Sequence, residues 1–338
     1  MNFDFSDDQQ AIKRTAKDLL AARFTLERVR ELAESGKYDE TAWKEICELG
    51  WPGIFISEEN GGQGLGIVEL VILMEELGYA LAPLPFLSTA AAGLALELAG
   101  SDEQRERWLP GIASGELRAT AGLESNGEAR LVPDANAAEL IVLLSRDGGR
   151  VLERGKAEVE ALATIDATRH FARVRGDGGE PLEGDTSAAL DRIVTGIAAE
   201  LTGVCQRSME MAVEYARDRK QFGRPIGAYQ AVAHRCAQML LETEGARSAS
   251  YYAGWTADAE PESAAQAASM AKAYASDAGW RVTASSLQVH GGIGFTWEHD
   301  LHFFLKRAKA DGILFGSAGS HRERVAGLSG LAAEPAAA

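Results

Sequence analysis

Apolar residues recur at helical spacing along most of the chain. From Ser187 onward one stripe with a period near 3.6 residues contains Leu190, Ile193, Val194, Ile197, Leu201 and Val204. Pro225, Pro261 and the glycines that follow His290 separate the long periodic segments, which cover residues 187–219, 228–258, 261–289 and 298–313. Helices of about 30 residues are about 45 Å long, and four of them packed antiparallel form a bundle. The pattern predicts a C-terminal four-helix bundle domain over residues 187–331.

The first 116 residues are also predicted to be helical. Ser6 with Gln9, and later Ser101 with Gln104, match the capping-box pattern at a helix start, and the first box is expected to open a helix to about Ser35. The glycine-rich segment 57–66 lies between them. A turn that links helices is favoured there over a phosphate-binding loop, since no strand and no GxGxxG fingerprint accompany it.

Residues 117–186 have a different pattern. The apolar run from Glu139 to Ser145 is short enough for a strand, and the Arg146–Arg150 segment, RDGGR, predicts a hairpin turn into the next strand. The region is short for a closed barrel, so we expect a reduced or open sheet. The fold class is therefore mainly α with a small central β domain, followed by a disordered tail over residues 332–338.

Composition and charge narrow the class of protein. There are 34 basic and 50 acidic side chains, a net charge of −16, which argues against a nucleic-acid or anionic-membrane binder. The acidic N-terminus has no signal-peptide pattern, and the apolar run near Ile67 ends too soon to cross a membrane. Cys47, Cys205 and Cys236 form no CxxC pair and are expected to be core residues. We expect a cytoplasmic protein.

The first candidate site is the segment RDRKQFGRPI, residues 217–226. Four cations lie within the eight residues 217–224, although the chain as a whole is acidic, and an aromatic residue and a glycine lie among them. Cations at a helix C-terminus also interact favourably with the helix dipole, so one interpretation is that part of this charge is structural. The other interpretation is a binding site for a pyrophosphate and a flat ring.

Two further segments contain candidate chemistry. In QVHGGIGF, residues 288–295, the glycines either cap a helix or let a ligand approach the backbone. His290 is expected to be a hydrogen-bonded core residue. No metal site is expected, because no second His or Cys lies at the spacing that metal ligands have. Next to it, His299 and its acidic neighbours are either an acid–base pair or, as we favour, a helix cap. The sequence has no GxSxG, P-loop or HExxH motif.

Taken together, these segments resemble the acyl-CoA dehydrogenase family of flavoproteins. The resemblance rests on SEENGGQGLG with the later EELG, on RDRKQFGRPIGAYQAVAHRCAQM from Arg217 to Met239, and on LQVHGGIGFTWEHDLHFFLKRAK from Leu287 to Lys309. It implies a helical N-terminal domain, a β domain and a four-helix C-terminal domain. It also implies oxidation of an acyl-CoA thioester to its 2,3-enoyl form, with FAD lying against a neighbouring subunit and an electron-transfer flavoprotein as partner.

The resemblance assigns residues to the flavin. The family's RxxFG arginine and phenylalanine, the glutamine of the following helix, and the C-terminal glutamine and glycines correspond to Arg219, Phe222, Gln230, Gln288, Gly291 and Gly292. An arginine fork suits a phosphate, and glycines let the backbone approach it.

The catalytic base of the family is missing from both of its usual positions. These correspond to Phe315 and Ile193, neither of which can take a proton. The segment that normally contacts the flavin ring is GLESNGEARL, residues 122–131, in which only Glu124 resembles the family pattern. Glu200 lies within the apolar stripe and is the replacement candidate, whereas Asp191 lies on another face of the helix and is less attractive. A structural ion pair, with Arg235 or Arg247, is the favoured interpretation of Glu200.

Four hypotheses follow from these departures. The chain is a dehydrogenase with an unusual base, a subunit of a hetero-oligomer that completes the flavin site, a flavin monooxygenase of the same fold, or a structural protein. The retained motifs favour the dehydrogenase branch of lipid degradation. We expect FAD-dependent oxidation of an acyl-CoA by an oligomer in which a second, different chain takes part.

Overall fold

The computed structural model describes residues 4–331, so the predicted tail at 332–338 lies outside the described residues. The N-terminal region is helical, as predicted. Its helices are α1 (Asp7–Arg23), α2 (Leu26–Ser35), α3 (Glu40–Glu48), α4 (Ile67–Ala80), α5 (Phe86–Ala99) and α6 (Asp102–Ser114).

Local side-chain chemistry sets the helix starts. Both predicted capping boxes are present, at Ser6 with Gln9 and at Ser101 with Gln104. The prediction of a single helix from Ser6 to about Ser35 is wrong, because the chain leaves helical geometry at Phe24. The hydroxyl of Thr25 then accepts the amide of Arg28 and starts α2.

The central region forms one sheet of seven strands. The strands are β1 (Ala119–Ser125), β2 (Glu128–Pro133), β3 (Leu140–Ser145), β4 (Gly148–Glu153), β5 (Glu158–Leu162), β6 (Phe171–Arg175) and β7 (Glu180–Pro181). Their order is β5-β6-β2-β1-β3-β4-β7, so the end strands β5 and β7 do not meet and the sheet is open, as expected. The predicted hairpin is confirmed by the antiparallel pairing of β3 with β4.

The C-terminal region contains the four predicted long helices and a fifth, shorter one. They are α7 (Thr186–Asp218), α8 (Gln230–Ala259), α9 (Pro261–His290), α10 (Leu301–Ile313) and α11 (Ala318–Leu328). A two-stranded hairpin of β8 (Lys220–Gln221) and β9 (Arg224–Pro225) joins α7 to α8. The fold class, mainly α with a small central sheet, is confirmed.

Helix α7 is the central element of the core. It packs against α4, α5, α8, α9 and α10, and most of its residues are buried. The backbones of α4 and α7 approach closely, because a Cβ at Gly203 would lie 1.9 Å from the carbonyl oxygen of Glu75. A Cβ at Gly78 would likewise lie 2.0 Å from the carbonyl oxygen of Glu200. Glycine at both positions lets α7 pass through the middle of the molecule.

Candidate functional site

The hairpin that follows α7 presents the first candidate motif. The backbone amide of Ile226 donates to the carbonyl of Arg219 at 2.8 Å and closes the hairpin. Its two turn residues have positive φ, 52° at Phe222 and 81° at Gly223, as a two-residue hairpin turn requires. The turn leaves the ring of Phe222 92% exposed, so the motif faces away from the bundle.

The cations of this hairpin lack acidic partners. Within residues 4–331, no carboxylate oxygen lies within 4.0 Å of a side-chain nitrogen of Arg217, Arg219, Lys220 or Arg224. The guanidinium of Arg224 instead lies 4.1 Å from the ring centroid of Tyr229. Unpaired cations in an acidic protein are suited to a phosphate ligand. Together with the exposed ring of Phe222, they fit the diphosphate and adenine of FAD.

The second candidate motif follows α9. Gly291 has a φ of 64°, and a Cβ at Gly291 or at Gly292 would meet no atom within 4 Å. The backbone there is open to a ligand. Gln288 is exposed on the last turn of α9, and the side chains that follow include an exposed Phe295. This loop therefore also fits a bound nucleotide.

The two motifs are joined through His290. Its ring stacks on Tyr215, with ring centroids 4.4 Å apart, and its Nδ1 lies 2.8 Å from the carbonyl oxygen of Ser286. Burial lowers the pKa of His290, so the ring is neutral near pH 7 and Nδ1 donates to that carbonyl. The prediction of a hydrogen-bonded core histidine is confirmed.

Gln230 begins the next helix, beside the hairpin. It is exposed on the first turn of α8, directly after Tyr229. The hydroxyl of Tyr229 donates to the carbonyl of Gln221 at 3.2 Å, and its ring meets that of Phe222 edge-on at 6.4 Å. The first turn of α8 is thus fixed against the hairpin that contains Arg219.

The two usual base positions are apolar and buried. Phe315 follows α10 with a φ of 54°, and Ile193 lies on α7. The crevice beside Ile193, between α4, α5 and α7, has a volume of only about 10 Å³. The crevice at Ile193 is therefore too small to hold an acyl group.

Glu200, the replacement candidate, lies in a buried ion network. Its Oε1 accepts from Arg169 Nη2 at 2.6 Å and from Arg307 Nη1 at 2.7 Å. The prediction of Arg235 or Arg247 as its partner is wrong. Arg247 binds Glu75 at 3.0 Å instead, because α8 faces a different part of α7.

The network connects the β domain to the bundle. Arg169 Nη1 donates to Asp311 at 2.5 Å, and Arg307 Nε donates to Asp166 at 2.7 Å. Oε2 of Glu200 and Oδ2 of Asp311 are buried with no hydrogen-bond partner. Burial, together with the charge of Glu200, raises the pKa of Asp311.

A buried lysine lies next to this network. Lys272 Nζ donates to Ser276 Oγ, to the carbonyl of Asp311 at 2.7 Å and to the carbonyl of Gly316. Burial lowers its pKa to about 7. These bonds hold the loop that contains Phe315 against α9.

Sequence reasoning missed four members of the network. Asp166, Arg169, Arg307 and Asp311 are each 4% exposed or less. The sequence contains a signal for the two members on α10. Arg307 and Asp311 follow Phe303 and Phe304 at helical spacing, which places them on the apolar face of the helix. For residues 163–170 no periodic pattern exists, because they belong to a loop.

Two other candidate segments have structural roles. Glu124 is bonded to Arg150, with Nη2 to Oε1 at 2.5 Å, and Asn126–Gly127 form a tight turn between β1 and β2. At the start of α10, Asp300 binds Arg30 at 2.5 Å, and Nδ1 of His299 accepts the amide of Leu301. The cap is therefore His299 rather than the Asp300 side chain.

Among residues 4–331, no group of three or more His, Cys, Asp or Glu side chains is placed to hold a metal ion. No helix in this part of the chain is long and apolar enough to cross a membrane. Of the cysteines, Cys205 is buried, whereas Cys47 and Cys236 are half-buried.

The fold and these motifs define a helical flavoenzyme scaffold, and comparisons with known proteins agree. The family model for the acyl-CoA dehydrogenase N-terminal domain matches residues 6–116, and the model for the acyl-CoA dehydrogenase C-terminal domain matches residues 184–328. The chain belongs to the acyl-CoA dehydrogenase family. Acyl-CoA dehydrogenases are flavin-dependent oxidoreductases that act on CH–CH bonds.

Individual relatives cover almost the whole chain. Acyl-CoA dehydrogenase IpdE2 of Mycobacterium tuberculosis is 34% identical over 313 residues, which are 92% of this chain and 94% of the relative. Acyl-CoA dehydrogenase FadE34 of the same organism is 33% identical over 96% of this chain and 48% of its own length. Among solved structures, the ChsE4–ChsE5 complex of M. tuberculosis matches with a TM-score of 0.88 and 25% identity, over 99% of this chain and 100% of the matched one.

Proposed function

We propose that this chain is one subunit of an oligomeric, FAD-dependent dehydrogenase that oxidises an acyl-CoA thioester to the 2,3-enoyl-CoA. One contrast carries the proposal. Four side chains that the family assigns to the flavin, those of Arg219, Phe222, Gln230 and Gln288, are exposed, and within residues 4–331 Arg219 has no acidic partner. Phe315 and Ile193, at the two base positions, are apolar and buried. The chain thus keeps a cofactor-binding surface and lacks a base.

FAD fits that surface through this chain's own groups. Arg219 offers a planar fork of donors for the diphosphate, Phe222 a flat ring for the adenine, and Gly291 and Gly292 an open backbone. When bound, FAD supplies the acceptor for the hydride that leaves the β-carbon of the acyl group. The residues of this chain bind and orient the cofactor.

The α-proton needs a base, and we propose that a second, different chain supplies it. Glu200 is a poor candidate, since two arginines hold its Oε1 and it is buried. The solved ChsE4–ChsE5 complex, which pairs two differently named chains, supports this arrangement by similarity. By the same family resemblance, an electron-transfer flavoprotein accepts the electrons.

The test is the visible spectrum of the purified chain, expressed alone and supplied with FAD, before and after anaerobic addition of acyl-CoA. Straight-chain, branched, aromatic and steroid thioesters form the substrate panel. We expect that no member of the panel bleaches the flavin band. Bleaching by the isolated chain would reject the dependence on a second chain, and Glu200→Gln and Asp311→Asn would then show which carboxylate acts as the base.

A further inference from the structure

A cavity of about 390 Å³ lies far from the candidate flavin site. It lies between the first three turns of α7, the first two turns of α9, the ends of α5 and α8, and α11. Leu98, Ala264, Ala265 and Ala268 form its apolar walls, and the small alanine side chains keep it open. Arg192, which also lines it, is about 40 Å along α7 from Arg219 at 1.5 Å per residue.

The guanidinium of Arg192 has no counter-ion. The side chain is half-buried, and within residues 4–331 no carboxylate oxygen lies within 4.0 Å of its nitrogens. It donates only to two main-chain carbonyls, that of Ala188 at 3.4 Å and that of Ala257 at 3.2 Å. Burial lowers its pKa. The remaining donors of this half-buried cation are free to bind an anion.

The acidic groups that line the cavity are already occupied. Asp191 accepts from Arg324 through both oxygens, at 2.5 and 2.8 Å, and from Arg146 at 3.2 Å. Asp185 caps α7 by accepting the amide of Ala188 at 2.9 Å. Among the described residues that line the cavity, Arg192 is therefore the one cation without a carboxylate bound to it.

We propose that this cavity binds a small carboxylate that has a short apolar tail. The carboxylate takes two donors of Arg192, a geometry that a guanidinium offers in one plane. The tail lies on Leu98 and on the methyl groups of Ala264, Ala265 and Ala268, where it is removed from water. A single cation with apolar walls suits a monoanion with a tail better than a multiply charged phosphate. This proposal does not depend on the proposed dehydrogenase function.

Hexanoate is the probe, titrated into the purified full-length chain by calorimetry at constant ionic strength. We expect saturable binding with one site, and at least tenfold weaker binding to Arg192→Gln, because a charge-assisted hydrogen bond contributes about 1.5–3 kcal/mol. Arg207→Gln is the matched control, since Arg207 is also half-buried without a carboxylate partner but faces a different cavity. It should bind hexanoate as the wild type does. Hexanol, which has the tail without the charge, should not bind.

Stability gives an independent readout. If Arg192 serves the ligand, Arg192→Gln without hexanoate should have an unchanged or higher Tm, since an unpaired charge is removed. A lowered Tm would show that its two carbonyl bonds are structural, and would overturn the proposal. Three other results would also overturn the proposal. They are wild-type affinity for hexanoate in Arg192→Gln, no saturable binding of hexanoate to the wild type, and binding of phosphate as tight as that of hexanoate.

A second variant covers the case in which Arg192→Gln does not fold. Ala264→Leu keeps Arg192 and fills the cavity from the first turn of α9, where leucine is tolerated in a helix. Loss of hexanoate binding in Ala264→Leu, at unchanged Tm, would support the site. Undiminished binding in that variant would reject this cavity.

Discussion

The ring of Tyr215 stacks on the ring of His290, with centroids 4.4 Å apart and planes inclined by 26°. Tyr215 lies one turn before Arg219 on α7, and His290 directly precedes Gly291 at the end of α9. The Oγ of Ser286, one turn before His290, donates to the carbonyl of Ser208, about two turns before Tyr215, at 2.7 Å and joins the same two helices. This stack therefore sets the distance between the two halves of the proposed flavin site.

His290→Leu tests that spacing. Leucine keeps much of the volume but loses the ring stack and the bond to the Ser286 carbonyl. Together these contribute about 1–3 kcal/mol, so FAD should bind the assembled protein about tenfold more weakly or worse. Flavin fluorescence titration measures this, and circular dichroism should show unchanged helix content. His234→Leu, at an exposed position on α8, is the control. Equal FAD affinity in both variants would show that the stack does not organise the site.

Arg219→Ala tests the phosphate contact. Because Arg219 is exposed and has no acidic partner, its removal should leave the free energy of unfolding within about 0.5 kcal/mol. FAD content after purification should fall strongly, since a charge-assisted bond to phosphate is lost, and Arg219→Lys should restore part of it. Arg14→Ala, at an exposed position on α1, should keep full flavin content. A flavin-replete Arg219→Ala protein would exclude the assigned role.

Arg307→Met tests the buried network. It removes a cation that binds Asp166, Glu200 and Thr168 inside the molecule, and leaves two carboxylates without it. Loss of one partner of a buried ion pair costs about 3–5 kcal/mol. Urea unfolding measures the change. Arg322→Met removes an exposed ion pair with Asp277 and should cost at most about 1 kcal/mol. Similar costs for both variants would contradict a structural network.

Glu200→Gln separates stability from catalysis. Glutamine keeps an oxygen that can accept from Arg169 but lacks the charge, so the protein should be less stable by about 1–3 kcal/mol. If Glu200 is structural, the rate of flavin reduction by acyl-CoA in the complete oligomer should not change. Rapid-mixing absorbance at saturating substrate is the measurement. A rate reduced by several orders of magnitude, with flavin still bound, would instead assign the base to Glu200.

The sequence predicts some parts of this molecule well, for physical reasons that differ along the chain. The 3.6-residue stripe around Ile193 and Ile197 is a local pattern, and α7 follows it closely. No such pattern predicts the break at Phe24, because the segments on both sides are amphipathic. The start of α2 depends on one hydroxyl, that of Thr25. Turn chemistry was more informative, as in the hairpin at Arg146–Arg150.

Within the candidate site, too, some residues can be assigned from the sequence and others cannot. Arg219 and Gly291 belong to contiguous motifs, so sequence alone could assign them. The partners of Glu200 are Arg169, 31 residues before it, and Arg307, 107 residues after it. Which arginine reaches a carboxylate across a bundle depends on how the helices and the β domain pack, and periodicity contains no information on that. The same reason explains why Arg192 and its cavity were not anticipated.

Asp311→Asn tests the electrostatics of the network through pH. Burial, together with the charge of Glu200, raises the pKa of Asp311 to about 7, above an unfolded value near 4. Between these values the folded state holds a proton that the unfolded state has lost, so this group's contribution to stability falls as pH rises. Relative to Asp311→Asn, the wild type should lose roughly 1–3 kcal/mol of unfolding free energy between pH 5 and pH 7. Urea unfolding at both pH values gives this difference.

The interval from pH 5 to pH 7 is chosen because of the groups around Asp311. Burial lowers the pKa of Lys272 to about 7, so that lysine is charged at pH 5 and keeps about half of its charge at pH 7. Arg169 and Arg307 keep their charge throughout. Asp277→Asn, which removes an exposed carboxylate on α9, is the control and should show a much smaller pH-dependent difference. If Asp311→Asn and the wild type differ by the same amount at pH 5 and pH 7, Asp311 does not hold a proton in the folded protein.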